Sequence, residues 1–66
     1  MMEGLFVNDV VVIPLADVKL IRKRINDKFE VMDITVYLGD DLEVVLKREE
    51  AFKFIDYYYT WWEETQ

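Results

Sequence analysis

The side chains in this chain that could do chemistry are almost all carboxylates. Asp40, Asp41 and Glu43 lie close together in sequence, and paired carboxylates can bind Mg²⁺ or Ca²⁺ or act as a general acid and base. Their spacing matches no calcium-binding loop, and aspartates beside a glycine are typical of a solvated turn. We therefore predict a turn here, with no metal site.

Nucleophilic catalysis lacks its usual components. The chain contains no Ser, His or Cys, so neither a Ser-His-Asp nor a Cys-His arrangement can be assembled. Thr35, Thr60 and Thr65 supply hydroxyl groups, but no histidine base accompanies them. Gly4 and Gly39 are the only glycines, so no glycine-rich loop can hold a phosphate. We predict a protein that is not an enzyme and that binds no cofactor.

Positive charge is concentrated in one segment. Its basic residues are Lys19, Arg22, Lys23, Arg24 and Lys28. A small DNA-binding regulator using this basic hairpin is one alternative, although no aromatic residues are interleaved and a strand would send alternate side chains to opposite faces. We favour pairing of these residues with Glu30, with Asp33 or with the acids of another chain, since basic side chains also keep an edge strand soluble.

The formal net charge of −6 comes from the C-terminal half. From Phe29 onward many acids are opposed only by Lys47, Arg48 and Lys53. Such a surface repels phosphates, so direct nucleic-acid binding is not expected. The acids could instead imitate a phosphate array. An acidic inhibitor of a host nucleic-acid-binding protein, of phage or mobile-element type, is therefore an alternative, and its surface would be Asp40, Asp41 and Glu43.

The length limits how the chain can gain stability. Its 66 residues, 53% of them hydrophobic, predict a single domain spanning residues 1–66 whose one core is marginal. Because Cys and His are absent, neither disulfides nor zinc can support the fold. We therefore expect a protein partner, with a homo-oligomer as one form of it. No long apolar run and no signal-peptide pattern occur, which predicts a cytoplasmic protein without a membrane partner.

The N-terminal half predicts short strands. Residues 5–7 and 10–13 are apolar runs separated by a turn-forming Asn-Asp pair, so we expect one strand, or two very short ones, ending before Pro14. Residues 15–25 fit either a helix or a partly alternating strand. Because an Asn-Asp turn separates them from residues 29–38, whose alternation puts Met32, Ile34, Val36 and Leu38 on one face, we favour a strand that pairs with these residues in a hairpin.

A second hairpin and a helix complete the chain. Gly39, Asp40 and Asp41 are the clearest turn signal, and residues 42–47 beyond them alternate again. The acids that follow Arg48 suit the positive end of a helix dipole, although no conventional capping residue stands there. We predict an α+β fold, a small antiparallel sheet of three to four strands with one C-terminal helix packed on one face.

This helix carries more apolar surface than one sheet can cover. Its apolar residues span roughly 220° of the helix circumference, whereas docking on a sheet needs a stripe somewhat wider than about 100°. The stripe that follows the line from Ala51 is expected to face the core, and its members are Phe52, Ile55, Tyr58 and Trp62.

A flank of the helix is left over. Phe54, Tyr57 and Trp61 lie too far round to share the sheet unless a loop or the N-terminal segment wraps them. Because such aromatic residues are enriched at interface centres, we predict that this flank binds a protein, over the alternative that the whole aromatic cluster is core. The acidic rim expected around the flank is Glu50, Asp56 and Glu64.

The layout also resembles a known family. The chain presents Phe6-Val7-Asn8, then Val11-Val12-Ile13-Pro14-Leu15, then residues 33–51 with the Gly39 turn. This order is similar to that of the short flagellar FlbD/SwrD-like proteins, in which a strand hairpin with a glycine turn is followed by an acidic helix start. Where that family tends to have lysines after the glycine, this chain has Asp40 and Asp41. The resemblance implies the fold layout and little about function.

Overall fold

The structure is a computed structural model that describes residues 4–39 and 41–66, and these residues form two sheets and one long helix. The elements are β1 (Leu5–Val7), β2 (Val12–Pro14), a 3-10 turn (Leu15–Asp17), β3 (Leu20–Ile25), β4 (Val31–Tyr37), β5 (Glu43–Lys47) and α1 (Glu49–Thr65). Strands β1 and β2 pair antiparallel, and β3, β4 and β5 form a second antiparallel sheet in that order. The helix packs against both sheets, which is the predicted α+β layout.

The first hairpin depends on Asn8. Its side-chain Oδ1 accepts hydrogen bonds from the backbone N–H groups of Val10 and Val11, both at 2.8 Å, and its own N–H donates to the carbonyl of Val11 at 3.0 Å. This side chain closes the turn, so the alternative of two very short strands is confirmed. The second strand includes Pro14, one residue beyond the predicted end, because a terminal strand position tolerates the missing amide donor.

The prediction of a strand across residues 15–25 is correct only for its second part. Leu15–Asp17 forms a 3-10 turn before β3 begins at Leu20. Leu15 is buried in the core, and its N–H donates to the carbonyl of Gly4 at 2.9 Å. The chain therefore turns here because Leu15 anchors the link between the two sheets.

Both predicted hairpins of the larger sheet are confirmed. Opposite residues share a face of the sheet, and the register places Ile34 between Lys23 and Leu46 on the face toward the helix. An irregularity at Arg24 and Ile25 leaves Met32 as an extra residue on β4. Such a bulge changes which side chains point inward. Val31 consequently packs against the core, while Met32 is exposed.

The core joins both sheets to the helix. Its buried residues are Phe6, Ile13, Leu15, Ile34, Val36, Leu46, Ala51 and Phe54. Strands β1 and β2 and the 3-10 turn supply the first three of them, β4 and β5 supply the next three, and the helix supplies the last two. Within residues 4–39 and 41–66, no helix is long and apolar enough to cross a membrane.

Candidate protein-interaction surface

The helix turns a different side toward the core than the sequence predicted. Phe54 was expected on a partner-binding flank, but its side chain is 0% exposed. Its ring lies 5.1 Å from that of Phe6, edge to face, and stacks on Tyr58 at 6.0 Å. The prediction that Phe54 faces a partner is therefore wrong, because β1 supplies an aromatic residue that packs against it.

The other two members of the predicted flank are half-buried. Tyr57 and Trp61 pack against the core, and the ring of Tyr57 lies 6.0 Å from that of Phe6. Gly4 lies so close to Trp61 that a Cβ on the glycine would come within 3.3 Å of the indole Nε1. The N-terminal segment thus wraps this flank, which is the condition under which the sequence allowed it to join the core. An interface role for Tyr57 and Trp61 stays a prediction.

A second set of aromatic residues is exposed instead. Phe52, Tyr59 and Trp62 are 49%, 49% and 50% exposed, and we call them the aromatic stripe. Their spacing of seven and then three residues puts them along one line of the helix. Phe52 and Trp62 were predicted to be core residues, and that is wrong because the helix is rotated toward β1. Ile55 and Tyr58 do pack against the core, as expected.

The aromatic stripe contacts β3 through Tyr59. The ammonium Nζ of Lys23 donates a hydrogen bond to the Tyr59 hydroxyl at 3.2 Å and lies 5.6 Å from the centre of its ring. A cation at this distance is attracted to the ring. Lys23 lies on the helix-facing side of β3, opposite Ile34. The contact therefore shows that the exposed edge of the helix reaches the outer strand of the sheet.

Two further large apolar residues are exposed at the end of β3 and in the loop that follows it. Ile25 at the end of β3 is 51% exposed, and Phe29 in the following loop is 89% exposed. Phe29 also has a φ of 62°, a left-handed conformation that is strained for a bulky residue. Neither the exposure of Phe29 nor its backbone conformation stabilises the fold. No sequence pattern distinguishes Phe29, since only its backbone geometry sets it apart from an ordinary strand position.

The residues of the predicted acidic rim are spread around the helix, with Asp56 next to Phe52 and Tyr59 and with Glu50 beside the first hairpin. Glu50 accepts a hydrogen bond from the Asn8 Nδ2 at 2.9 Å and lies 3.8 Å from the Lys53 ammonium, so it ties the first hairpin to the helix. Asp56 and Lys53 line an open groove between β1 and the helix, about 620 Å³ in volume. Glu64 is exposed in the last turn. These acids do not surround the aromatic stripe.

Among the described residues, the basic segment forms one ion pair. The Arg24 guanidinium donates through two nitrogens to the Asp33 Oδ2, at 2.6 and 3.0 Å, which confirms the expected pairing of the basic segment with Asp33. This hydrogen bond lowers the pKa of Asp33 below its ordinary value, aided by the positive charges of Arg24 and Lys47 and opposed by partial burial. The same contact raises the pKa of Arg24.

The described residues of the acidic surface and of the basic hairpin do not form a single site of one charge. Asp41 and Glu43 share a hollow with Lys19 at the turn between β4 and β5, so a cation interrupts the acidic run, while Asp40 lies outside the described residues. The described part of the chain holds no group of three or more acids that could bind a metal ion. The basic side chains divide between the two faces of β3, with Lys23 toward the helix and Arg24 away from it.

Comparison of the chain with protein-family models, with curated proteins and with solved structures found no match. The resemblance to the FlbD/SwrD-like proteins therefore stays a prediction from the sequence pattern.

Proposed function

We propose that this chain is a small non-enzymatic protein-interaction domain that docks its partner on the aromatic stripe. The observation that carries the proposal is the set of three half-exposed aromatic side chains along one line of the helix. Contiguous exposed apolar patches mark interaction sites in soluble proteins, and Trp and Tyr are enriched among the residues that dominate binding energy. The cytoplasm is the compartment we propose for this interaction.

The apolar area that a partner would bury on the aromatic stripe supports this proposal. Covering the exposed half of one aromatic side chain buries about 100 Å², which contributes on the order of 2 kcal/mol before the costs of association. Three such side chains can form the centre of an interface, and holding them in place lowers the cost of association. Tyr59 is held by Lys23, and Trp62 stacks on Tyr58 at 6.3 Å. The surface is thus largely formed before a partner arrives.

Site-specific photocrosslinking in the cells that make the protein tests the proposal. A photoreactive phenylalanine analogue is placed in turn at positions 52, 59 and 62, and at the exposed control positions Lys53 and Thr60 on the polar side of the same helix. We expect one product of the same mass from the three aromatic positions and none from the controls. A product of twice the 8.0 kDa chain mass would identify a homo-oligomer.

Two results would contradict the proposal. A product that forms only from Lys53 and Thr60 would assign the interface to the side of the helix beside β1. The absence of any product from all five positions would remove the case for an interaction surface on this helix.

The two other functions stay predictions with less support. Imitation of a phosphate array is weakened by Lys19, which shares the hollow of Asp41 and Glu43. Binding of DNA by the basic hairpin is weakened by the division of its charges between two faces of β3 and by the net charge of −6.

A further inference from the structure

The outer strand β3 has a free edge beside the aromatic stripe. Among the described residues it pairs only with β4, and of its six residues all but Ile21 are exposed. In an antiparallel pair, alternate N–H and C=O groups of an edge strand point away from the neighbour. An extended segment of another chain can use these groups to add a strand to the sheet.

The positive charge around the free edge of β3 favours an acidic partner. The basic side chains on or next to β3 are Lys19, Arg22, Lys23, Arg24 and Lys28. Within residues 4–39 and 41–66, only Arg24 of this group forms an ion pair. Pairing of β3 with a second copy of itself would place cations opposite cations, which destabilises a sheet. An acidic strand, by contrast, would complement the edge.

We propose that the partner binds as an extended acidic segment that adds a strand to the free edge of β3, an inference that rests on the proposed function. Because Lys23 contacts Tyr59 from the helix-facing side of β3, one face of the added strand would lie on the same side of the sheet as the aromatic stripe. Its side chains on that face would be apolar and would contact Tyr59 and Trp62. Those on the other face would be acidic and would lie beside Arg22.

A titration followed by NMR tests the inference. The probe is a synthetic nonapeptide of alternating Glu and Val with blocked ends, added to the ¹⁵N-labelled full chain at low salt. We expect the largest shifts at the backbone amides of residues 20–25 and of Tyr59, and at the indole N–H of Trp62. Amides on the free edge should also become protected from hydrogen exchange. The same peptide methylated on its backbone nitrogens cannot donate to β3 and should not bind.

Charge variants supply the matched control. Reversal of Arg22 and Lys23 to Glu should weaken peptide binding about tenfold or more, because the change at Arg22 sets like charges opposite each other across the new pair and the change at Lys23 removes the contact that holds Tyr59. Reversal of Lys47 and Lys53 to Glu changes the net charge by the same amount away from the edge, and should weaken binding much less. Equal losses in the two double variants would overturn the inference in favour of a general charge effect.

Other outcomes separate this inference from the proposed function. If photocrosslinks form at positions 52, 59 and 62 but the peptide leaves residues 20–25 unshifted, strand addition is wrong and the interaction surface stands. If the peptide shifts residues 20–25 while no photocrosslink forms, the edge binds acidic strands without the aromatic stripe, and the proposed function fails. If oligothymidine produces the same shifts as the peptide, the edge recognises polyanions in general and the inference is wrong.

Discussion

Asp33 illustrates how one cross-strand pair links a side chain to the stability of the sheet. It lies directly opposite Arg24 on β3 and opposite Lys47 on β5. The hydrogen bond from Arg24 holds the pKa of Asp33 below its ordinary value. Because the folded state favours the ionised carboxylate, this group stabilises the fold above its unfolded pKa of about 3.9. That contribution is lost as the pH falls through the lower, folded pKa.

We predict that the Asp33→Asn variant loses less stability in acid than the wild-type chain. Urea unfolding at a series of pH values should show the wild type more stable by a constant amount above about pH 5, with the difference shrinking below about pH 4. Arg24→Gln, which removes the partner of the carboxylate, should flatten the acid dependence in the same way. An unchanged acid dependence in both variants would show that the ion pair does not form in solution.

The residue before the helix has a backbone conformation that is unfavourable for its side chain. Arg48 has φ 52° and ψ −117° and precedes Glu49–Thr65 without a capping side-chain hydrogen bond. This conformation matches the first central position of a type II′ turn, which glycine occupies at little cost. The turn lets the chain leave β5 and begin the helix within one residue, while the Arg48 N–H donates to the Met32 carbonyl at 3.2 Å.

Replacing Arg48 by Gly should therefore stabilise the protein by roughly 1 kcal/mol, because the strained backbone is relieved. Equilibrium denaturant unfolding measures the effect. The neighbouring Lys47→Gly is the control: it lies within β5, where glycine should lower the free energy of unfolding. If Arg48→Gly destabilised the protein as much as the control does, the strain at this helix start would not be real.

The turns of this chain could be read from its sequence because they depend on local chemistry. Asn26 accepts hydrogen bonds from the N–H groups of Lys28 and Glu30, at 2.8 and 3.0 Å, and Gly39 has a φ of 81°. Each residue works through its own side chain or its own backbone freedom, so the two hairpins follow. The helix likewise follows from its apolar periodicity and its acidic first turn.

The side of the helix that faces the core could not be predicted from the sequence in the same way. Its apolar arc is wide enough to fit the core in several orientations, and the line through Ile55 and Trp62 is as apolar as the line through Phe54 and Trp61. The choice depends on where β1 places Phe6, which is a contact between distant parts of the chain. The wrong side of the helix was consequently assigned to the core from the sequence, since Phe54 is buried while Phe52 and Trp62 are half-exposed.

The aromatic residues of the chain divide between the core and the exposed surface of the helix. One side of the helix is occupied by β4 and β5, and a second side is covered by β1. Toward β3 the helix keeps an exposed aromatic edge, held in place by Lys23. A domain of 66 residues has little core to spare. The large side chains left half-exposed here therefore support the proposal of a partner that covers them.

The most direct test of this division compares the same truncation at two positions of one helix. Phe54→Ala should lower the free energy of unfolding by about 3–5 kcal/mol, the usual cost of removing a buried phenylalanine. Phe52→Ala should lower it by about 1 kcal/mol or less, because half of that side chain is already in solvent. Should Phe54→Ala fail to fold, the milder pair Phe54→Leu and Phe52→Leu should keep the same order. Equal losses, or a larger loss at Phe52, would place Phe52 in the core and contradict the assignment of the aromatic stripe as the interaction surface.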